Sequence, residues 1–252
     1  MIQGKTIACV IPARLESSRF PRKILQKLLD KPILQWVYEN ALSCEIFDLV
    51  VFAVDDEETA ALVHSFGGTA VMTDPSCPSG TMRLIDFRKK SGKDFDLWLN
   101  WQGDEPLITK EMIYDLFKGE FDKADVMTLM KKITGEDATS PGCTKVVTDR
   151  EGHALYFSRS KIPFIRDENT LAEPYFKHIG LYVYTQKALD SISSYIVSPL
   201  ENLEKLEQLT FLYNGLKIKV LETKYEAIGI DYPDDLNRAQ DYLARKQQLI
   251  LT

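Results

Sequence analysis

Long apolar runs are absent from this sequence of 252 residues. The apolar stretch at 49–54 is far shorter than the roughly 20 residues a membrane-crossing helix needs, so no membrane insertion is expected. The start lacks a basic segment followed by an apolar signal core, and the expected location is cytoplasmic. Cysteine is sparse. Cys9, Cys44, Cys77 and Cys143 are widely separated, with neither the paired spacing of a zinc site nor the density of a disulfide scaffold, and all four read as reduced, ordinary residues. An excess of basic charge is also missing. A formal net charge of −6 argues against a non-specific nucleic-acid binder, whose affinity for phosphate needs a broad basic surface. No internal repeat, Pro/Gly/Ser-rich linker or Walker-type glycine pattern is present, and the last absence removes the commonest ATPase reading.

What remains is an ordinary globular composition, 44% hydrophobic and 27% charged, on a chain long enough for one substantial core. A single domain over 1–252 is the starting expectation. Residues 6–11 (TIACVI) form a short run rich in β-branched residues and read as a strand buried on both faces. Ile33, Leu34, Val37, Tyr38, Ala41 and Leu42 then recur at helical spacing behind Pro32. The strand signature returns at 49–54, 69–72 and 97–101. Helices are predicted at 57–66, where Asp55 or Asp56 can cap the start, at 84–89, and from Thr109 to Leu116. Such alternation implies an α/β fold with a doubly wound, mostly parallel sheet. From about 124 to 185 strand-like runs follow one another with few helices, which predicts an antiparallel extension. Exposed strand edges are usually paired or covered, so a homodimer built through this extension is expected. A helix at 203–213, a strand at 218–221 and an amphipathic helix at 233–247 complete the pattern.

Several short segments carry chemistry. Arg14, Arg19, Arg22 and Lys23 place four cations within ten positions of an acidic chain. Their loop follows the first strand, and ligands of open α/β sheets bind beyond the carboxyl ends of strands, so a nucleotide triphosphate is a natural tenant. A solvated surface loop is the plainer alternative. In Trp101-Gln102-Gly103-Asp104-Glu105-Pro106, Asp104 emerges at the end of another buried strand, where a carboxylate can hold Mg²⁺ against phosphate oxygens. A simple Gly-Asp turn explains the same residues. Asp231, in Gly229-Ile230-Asp231-Tyr232-Pro233, is either a second such carboxylate or a residue flanking a helix start. Ser79-Gly80-Thr81-Met82-Arg83 is suited to reading a base or phosphate, or to capping a helix. Arg159 and His178 fall at the ends of predicted strands, suitable for gripping a sugar carboxylate or hydroxyls.

Taken in order, these segments resemble the 3-deoxy-manno-octulosonate cytidylyltransferase family, also called CMP-Kdo synthetases. The resemblance runs from Ile11 to about Leu236. It rests on Ile11-Pro12-Ala13-Arg14 with Ser18-Arg19-Phe20-Pro21 and Lys23, Ser79-Gly80-Thr81 with Arg83, Gln102-Gly103-Asp104-Glu105-Pro106, Ala154-Leu155-Tyr156-Phe157-Ser158-Arg159 with Ile162-Pro163, His178-Ile179-Gly180 with Tyr182, and Leu206-Glu207-Gln208-Leu209. It implies a nucleotide-diphospho-sugar transferase-like fold, usually dimeric, that uses CTP and Mg²⁺ to activate a 3-deoxy-2-keto sugar acid for lipopolysaccharide biosynthesis. By position, Arg14 and Lys23 would bind the triphosphate, and Ser79, Thr81 and Arg83 would hold the cytidine nucleotide. Asp104 and Asp231 would bind magnesium, and with Lys23 they would form the catalytic group. Gln102, Arg159, His178, Tyr182, Glu207 and Gln208 would face the sugar acid. The sequence departs from the family pattern at Arg22, where glycine is usual, at Met82, where an acidic residue is usual, and at Thr210, where arginine is usual. A sialic-type cytidylyltransferase and a catalytically weakened nucleotide-binding homologue are the competing expectations.

Overall fold

Strand β1 (Ile7–Ala13) is buried at every position, as its unbroken apolar sequence requires of a strand covered on both faces. The structure is a computed structural model that describes residues 2, 4–167 and 175–250. Its contacts divide the chain into two compact units, Met1–Lys110 with Glu226–Thr252, and Glu111–Tyr225.

In the first unit β1 leads through the small hairpin of β2 (Lys27–Leu28) and β3 (Lys31–Pro32) into α1 (Ile33–Ser43). Then come β4 (Leu49–Val54), α2 (Glu57–Ser65), β5 (Ala70–Met72), α3 (Gly80–Ser91) and β6 (Leu97–Trp101). The sheet of this unit is parallel, in the order β6-β1-β4-β5, with Ile7 opposite Leu97, Ala8 opposite Leu49 and Phe52 opposite Ala70. The chain steps outward from β1 to β4 and β5, then returns to the far side of β1 as β6. Right-handed crossovers therefore put α1 and α2 on one face and α3 on the other. The order reverses between β1 and β6, which makes their carboxyl ends the topological switch point where such sheets open a crevice.

Asp56 caps α2 by accepting a 2.8 Å hydrogen bond from the Glu58 amide, and Ser79 caps α3 through the Met82 amide at 3.2 Å. Because Ser79 satisfies that amide, α3 begins at Gly80 rather than near the predicted 84. The final helix, Pro233–Ile250, packs Leu236, Tyr242 and Leu243 against a cluster of Leu28, Ile33, Leu107, Ile230 and Ala239.

The second unit holds α4 (Lys110–Leu116), from Glu111 onward, β7 (Val126–Lys132), α5 (Gly135–Thr139), β8 (Lys145–Thr148), β9 (Ala154–Ser158) and β10 (Phe176–Thr185). It closes with α6 (Gln186–Ile192), α7 (Pro199–Glu204), α8 (Gln208–Tyr213) and β11 (Ile218–Glu222). Strand β7 pairs antiparallel with β10 and parallel with β11, while β8 pairs antiparallel with both β9 and β10. The antiparallel pairs β7–β10, β8–β9 and β8–β10 fall within 124–185, the span of the expected extension, of which residues 168–174 lie outside the described residues. Helix α6, which the pattern reading did not anticipate, is capped by the Thr185 hydroxyl accepting from the Ala188 amide at 3.2 Å. The single helix expected at 203–213 is two, α7 and α8, because Lys205 takes a left-handed conformation at φ 55°.

Candidate active site

Two loops meet at the switch point of the first unit: residues 14–23 leaving β1, and Gln102-Gly103-Asp104 leaving β6. The Gly103 amide donates to the Pro12 carbonyl at 3.1 Å. A Cβ on Gly103 would sit 2.9 Å from Leu34 Cδ2 and 3.1 Å from that same carbonyl, so a bare Cα is what lets the loops close. Between them lies a cavity of about 160 Å³ lined by Ala13, Arg14, Lys23, Cys77, Ser79, Gly80, Arg83, Gln102 and Asp104, among others.

Charge converges at its edge. Lys23, itself buried, directs Nζ to the Asp104 carboxylate and, at 3.0 Å, to Asp231 Oδ1. Burial alone would pull the Lys23 ammonium down, but the two carboxylates outweigh it and raise its pKa. Arg19 reaches the same Asp231 oxygen at 3.1 Å and lies 5.3 Å over the Tyr232 ring. The Ile230 amide donates to the Asp104 carbonyl at 2.8 Å, tying the two carboxylate-bearing segments together. At the start of the last helix Asp235 Oδ2 accepts from the Asp231 and Tyr232 amides at 3.0 and 2.8 Å, while the Asp231 carboxylate faces Arg19 and Lys23. One aspartate serves the helix start, and the other keeps its carboxylate for cations. No group of three or more His, Cys, Asp or Glu that could hold a metal is found among the described residues. Two carboxylates focused on one cation suit a hard dication that takes its other ligands from phosphate and water.

The remaining first-unit residues divide by how far their side chains are engaged. Arg14 is exposed at the cavity and makes no ion pair or hydrogen bond among the described residues. Arg83 is buried and committed: Nη1 donates to Thr73 Oγ1 at 2.7 Å and Nη2 to Asp55 Oδ2 at 3.0 Å. Asp55 Oδ1 in turn accepts from the Leu15 amide at 2.9 Å, so Arg83 anchors the residue after Arg14. Ser79 caps α3. Thr81 is buried, with the Asn100 amide 3.4 Å from its hydroxyl, and Asn100 also accepts from Gln102 Nε2 at 3.0 Å.

The second unit gathers the other sugar-facing candidates. His178 is buried, its ring 4.9 Å from Phe157 and 5.4 Å from Tyr182. Its Nε2 lies 2.9 Å from Thr128 Oγ1, whose own proton is directed to the Ile179 and Leu181 carbonyls at 3.0 and 2.9 Å. His178 is thereby set to donate from Nε2. Burial pushes its pKa down to about 3, so it is a neutral imidazole. Tyr182 is raised well above the usual phenol range by burial and, next, by the negative charge of Glu207. Gln208 is buried beside Glu207 at the start of α8. Arg159 is fixed by Glu204: its amide donates to Oε2 at 2.9 Å and its Nε to the Glu204 carbonyl at 2.7 Å, while Nη1 donates to the Pro141 carbonyl at 3.1 Å.

The departures from the family pattern acquire physical roles. Arg22 sits at φ 54°, the left-handed region that favours glycine, and turns its guanidinium away to pair with Glu58. Thr210 is buried, with its hydroxyl between the Glu201 carboxylate and the Ser198 amide. Nothing in the structure explains Met82. The sequence reading missed the roles of Asp55 and Glu204, since a lone carboxylate carries no local signal of a partner 28 or 45 positions away, and it missed Asp235, whose partners are local.

Comparison with known proteins gives the family and the fold. The profile of the cytidylyltransferase family matches residues 8–218. A 4-diphosphocytidyl-2C-methyl-D-erythritol synthase from Anaerococcus prevotii, 14% identical, shares the fold at a TM-score of 0.63 over 96% of this chain and 100% of its own. Fold and family profile are those of a nucleotidyltransferase. A 3-deoxy-manno-octulosonate cytidylyltransferase of Thermodesulfovibrio yellowstonii is 46% identical over 93% of this chain and 97% of its own. One from Geobacter metallireducens is 42% identical over 96% and 99%. A solved CMP:2-keto-3-deoxy-manno-octonic acid synthetase complexed with CTP superposes at a TM-score of 0.89 with 37% identity, over 96% of this chain and 99% of that one. The chain belongs to the 3-deoxy-manno-octulosonate cytidylyltransferase family.

Proposed function

We propose that this protein couples CTP to 3-deoxy-manno-octulosonate, giving the CMP-sugar and pyrophosphate in the cytoplasm for lipopolysaccharide biosynthesis. The observation that carries the proposal is the convergence of Lys23, Asp104 and Asp231 at a switch-point cavity that also presents Arg14. The sugar's anomeric hydroxyl attacks the α-phosphorus of CTP, one P–O bond forms, and pyrophosphate leaves with the electron pair of the broken one. Arg14 and Lys23 take up charge on the triphosphate, which is most of what such a transfer asks of a protein. Asp104 and Asp231 would hold Mg²⁺, whose contribution is to neutralise phosphate charge. Ser79, Thr81 and Arg83 shape the cytidine side of the cavity, Arg83 by anchoring the loop. Gln102, Arg159, His178, Tyr182, Glu207 and Gln208 orient the sugar acid through hydrogen bonds.

The test is pyrophosphate release from CTP with 3-deoxy-manno-octulosonate and magnesium, beside the other nucleoside triphosphates and a sialic-type acid. CTP with the octulosonate is expected to turn over fastest, and nucleotide binding without release would leave only a binding protein. We infer further that the second unit carries a homodimer contact, because Phe164 is 85% and Leu203 79% exposed, with Ile196 and Val197 exposed beside α7. A strictly monomeric species in light scattering at assay concentration would refute it.

A further inference from the structure

Lys145 is the largest charged side chain that the second unit buries completely, at 0% exposure. Among the described residues its ammonium makes no ion pair, although the Glu204 carboxylate is near enough to favour its charge. Its three donors go to three main-chain carbonyls: Ser140 at 2.8 Å, Arg159 at 2.6 Å, and Cys143. Three protons on three acceptors satisfy the group, yet leave a whole positive charge out of water, an expense that packing alone does not ask for. Burial accordingly pulls its pKa down.

The three carbonyls are informative. Ser140 and Cys143 bracket Pro141, whose carbonyl accepts from Arg159 Nη1 at 3.1 Å. Arg159 is thus held at its own carbonyl by Lys145 and at its guanidinium by the carbonyls of Pro141 and Glu204. Thr144, next to Lys145, accepts from the His178 amide at 2.8 Å. One ammonium therefore joins the loop at 140–143 to the end of β9 and lies beside the strand that carries His178.

We propose that Lys145 is a positioning residue for the acidic substrate, holding Arg159 in the one orientation from which its guanidinium meets the sugar carboxylate. The proposal rests on the octulosonate reading above. A buried cation placed under Arg159 also adds positive potential on that side, and its removal loosens the guanidinium without altering the nucleotide cavity.

The experiment compares the wild-type enzyme with Lys145→Met, which keeps the volume, and Lys145→Gln, which keeps some donors. Expected is a KM for 3-deoxy-manno-octulosonate raised about tenfold or more in Lys145→Met and less in Lys145→Gln. The KM for CTP should stay within about twofold and kcat within a few-fold. Equal KM values in a folded variant, or parallel losses for both substrates, would overturn the proposal while leaving the wild-type activity, and so the function, standing. Should the variants fail to fold, the wild-type protein labelled with ¹⁵N at lysine Nζ supplies the answer. A buried, triply bonded ammonium gives a signal protected from exchange. That signal should shift on adding the octulosonate and not on adding CTP alone; a signal unmoved by the sugar acid overturns the proposal.

Discussion

The two units place polar groups in opposite ways. The first sets opposite charges against one another at the rim of a cavity: Asp231 is 46% exposed at its side chain and Asp104 29%, around the ammonium of Lys23. The second withdraws neutral or singly charged groups into an aromatic and main-chain setting, where His178, Tyr182 and Lys145 are all buried. Half-exposed ion pairs contribute little to stability and exchange partners readily, which suits a site for phosphate and a dication. Buried donors with fixed acceptors hold direction, which suits recognition of hydroxyls and a carboxylate.

The exception in the first unit makes the sharpest test. Arg83 and Asp55 form a pair whose side chains are 3% and 13% exposed, so Arg83→Met strands a buried carboxylate and should destabilise the fold by about 3–5 kcal/mol in denaturant unfolding. Unchanged stability with lost CTP binding would make Arg83 a ligand group instead. At the rim the reverse is expected. Asp104→Asn and Asp231→Asn should each reduce turnover at least roughly a hundredfold with little change in melting temperature, as losing preorganised charge stabilisation does. A stability loss of about 1 kcal/mol with turnover intact in Asp231→Asn would return that residue to a structural role.

The second unit is tested by pH. His178 has a folded pKa of about 3, below its unfolded value of about 6.5. The unfolded chain therefore binds the extra proton between those values, and the stabilisation is complete above about pH 6.5 and lost as pH falls toward 3. The slope for this one group should approach about 1.4 kcal/mol per pH unit within that window. His178→Asn should flatten the acid limb of a stability-versus-pH curve. An imidazole titrating between pH 5 and 8 by NMR would break the contrast between the units. The smallest effect is at the exposed edge of the first loop. Arg22→Gly relieves the left-handed backbone and loses an exposed pair with Glu58, so stability should move by no more than about 1 kcal/mol and activity should persist.

Much of the fold could be read in one dimension because buried parallel strands and amphipathic helices carry their periodicity locally. The strands β4 and β6 fall where the apolar runs put them. Boundaries set by side-chain caps or a single backbone torsion were less legible: Ser79 moved the start of α3, and Lys205 split one expected helix into two. Ser79 also shows why site residues resist such a reading. The same hydroxyl fits a phosphate or a helix end, and only the Met82 amide at 3.2 Å shows that it caps.

By itself the sequence determined the family, since the motifs that run in order from Ile11 to about Leu236 are short local features. Tertiary structure alone decided which charges meet. Lys23 and Asp231 are 208 positions apart and touch because β1 and β6 are neighbours at a switch point, with the Ile230 amide bonded to the Asp104 carbonyl. It also decided which charges are engaged. Arg14 and Arg83 look alike in the sequence and both line the cavity, yet one is exposed and the other is buried and closed onto Asp55 and Thr73, because burial and pairing depend on neighbours that only the folded chain brings into place.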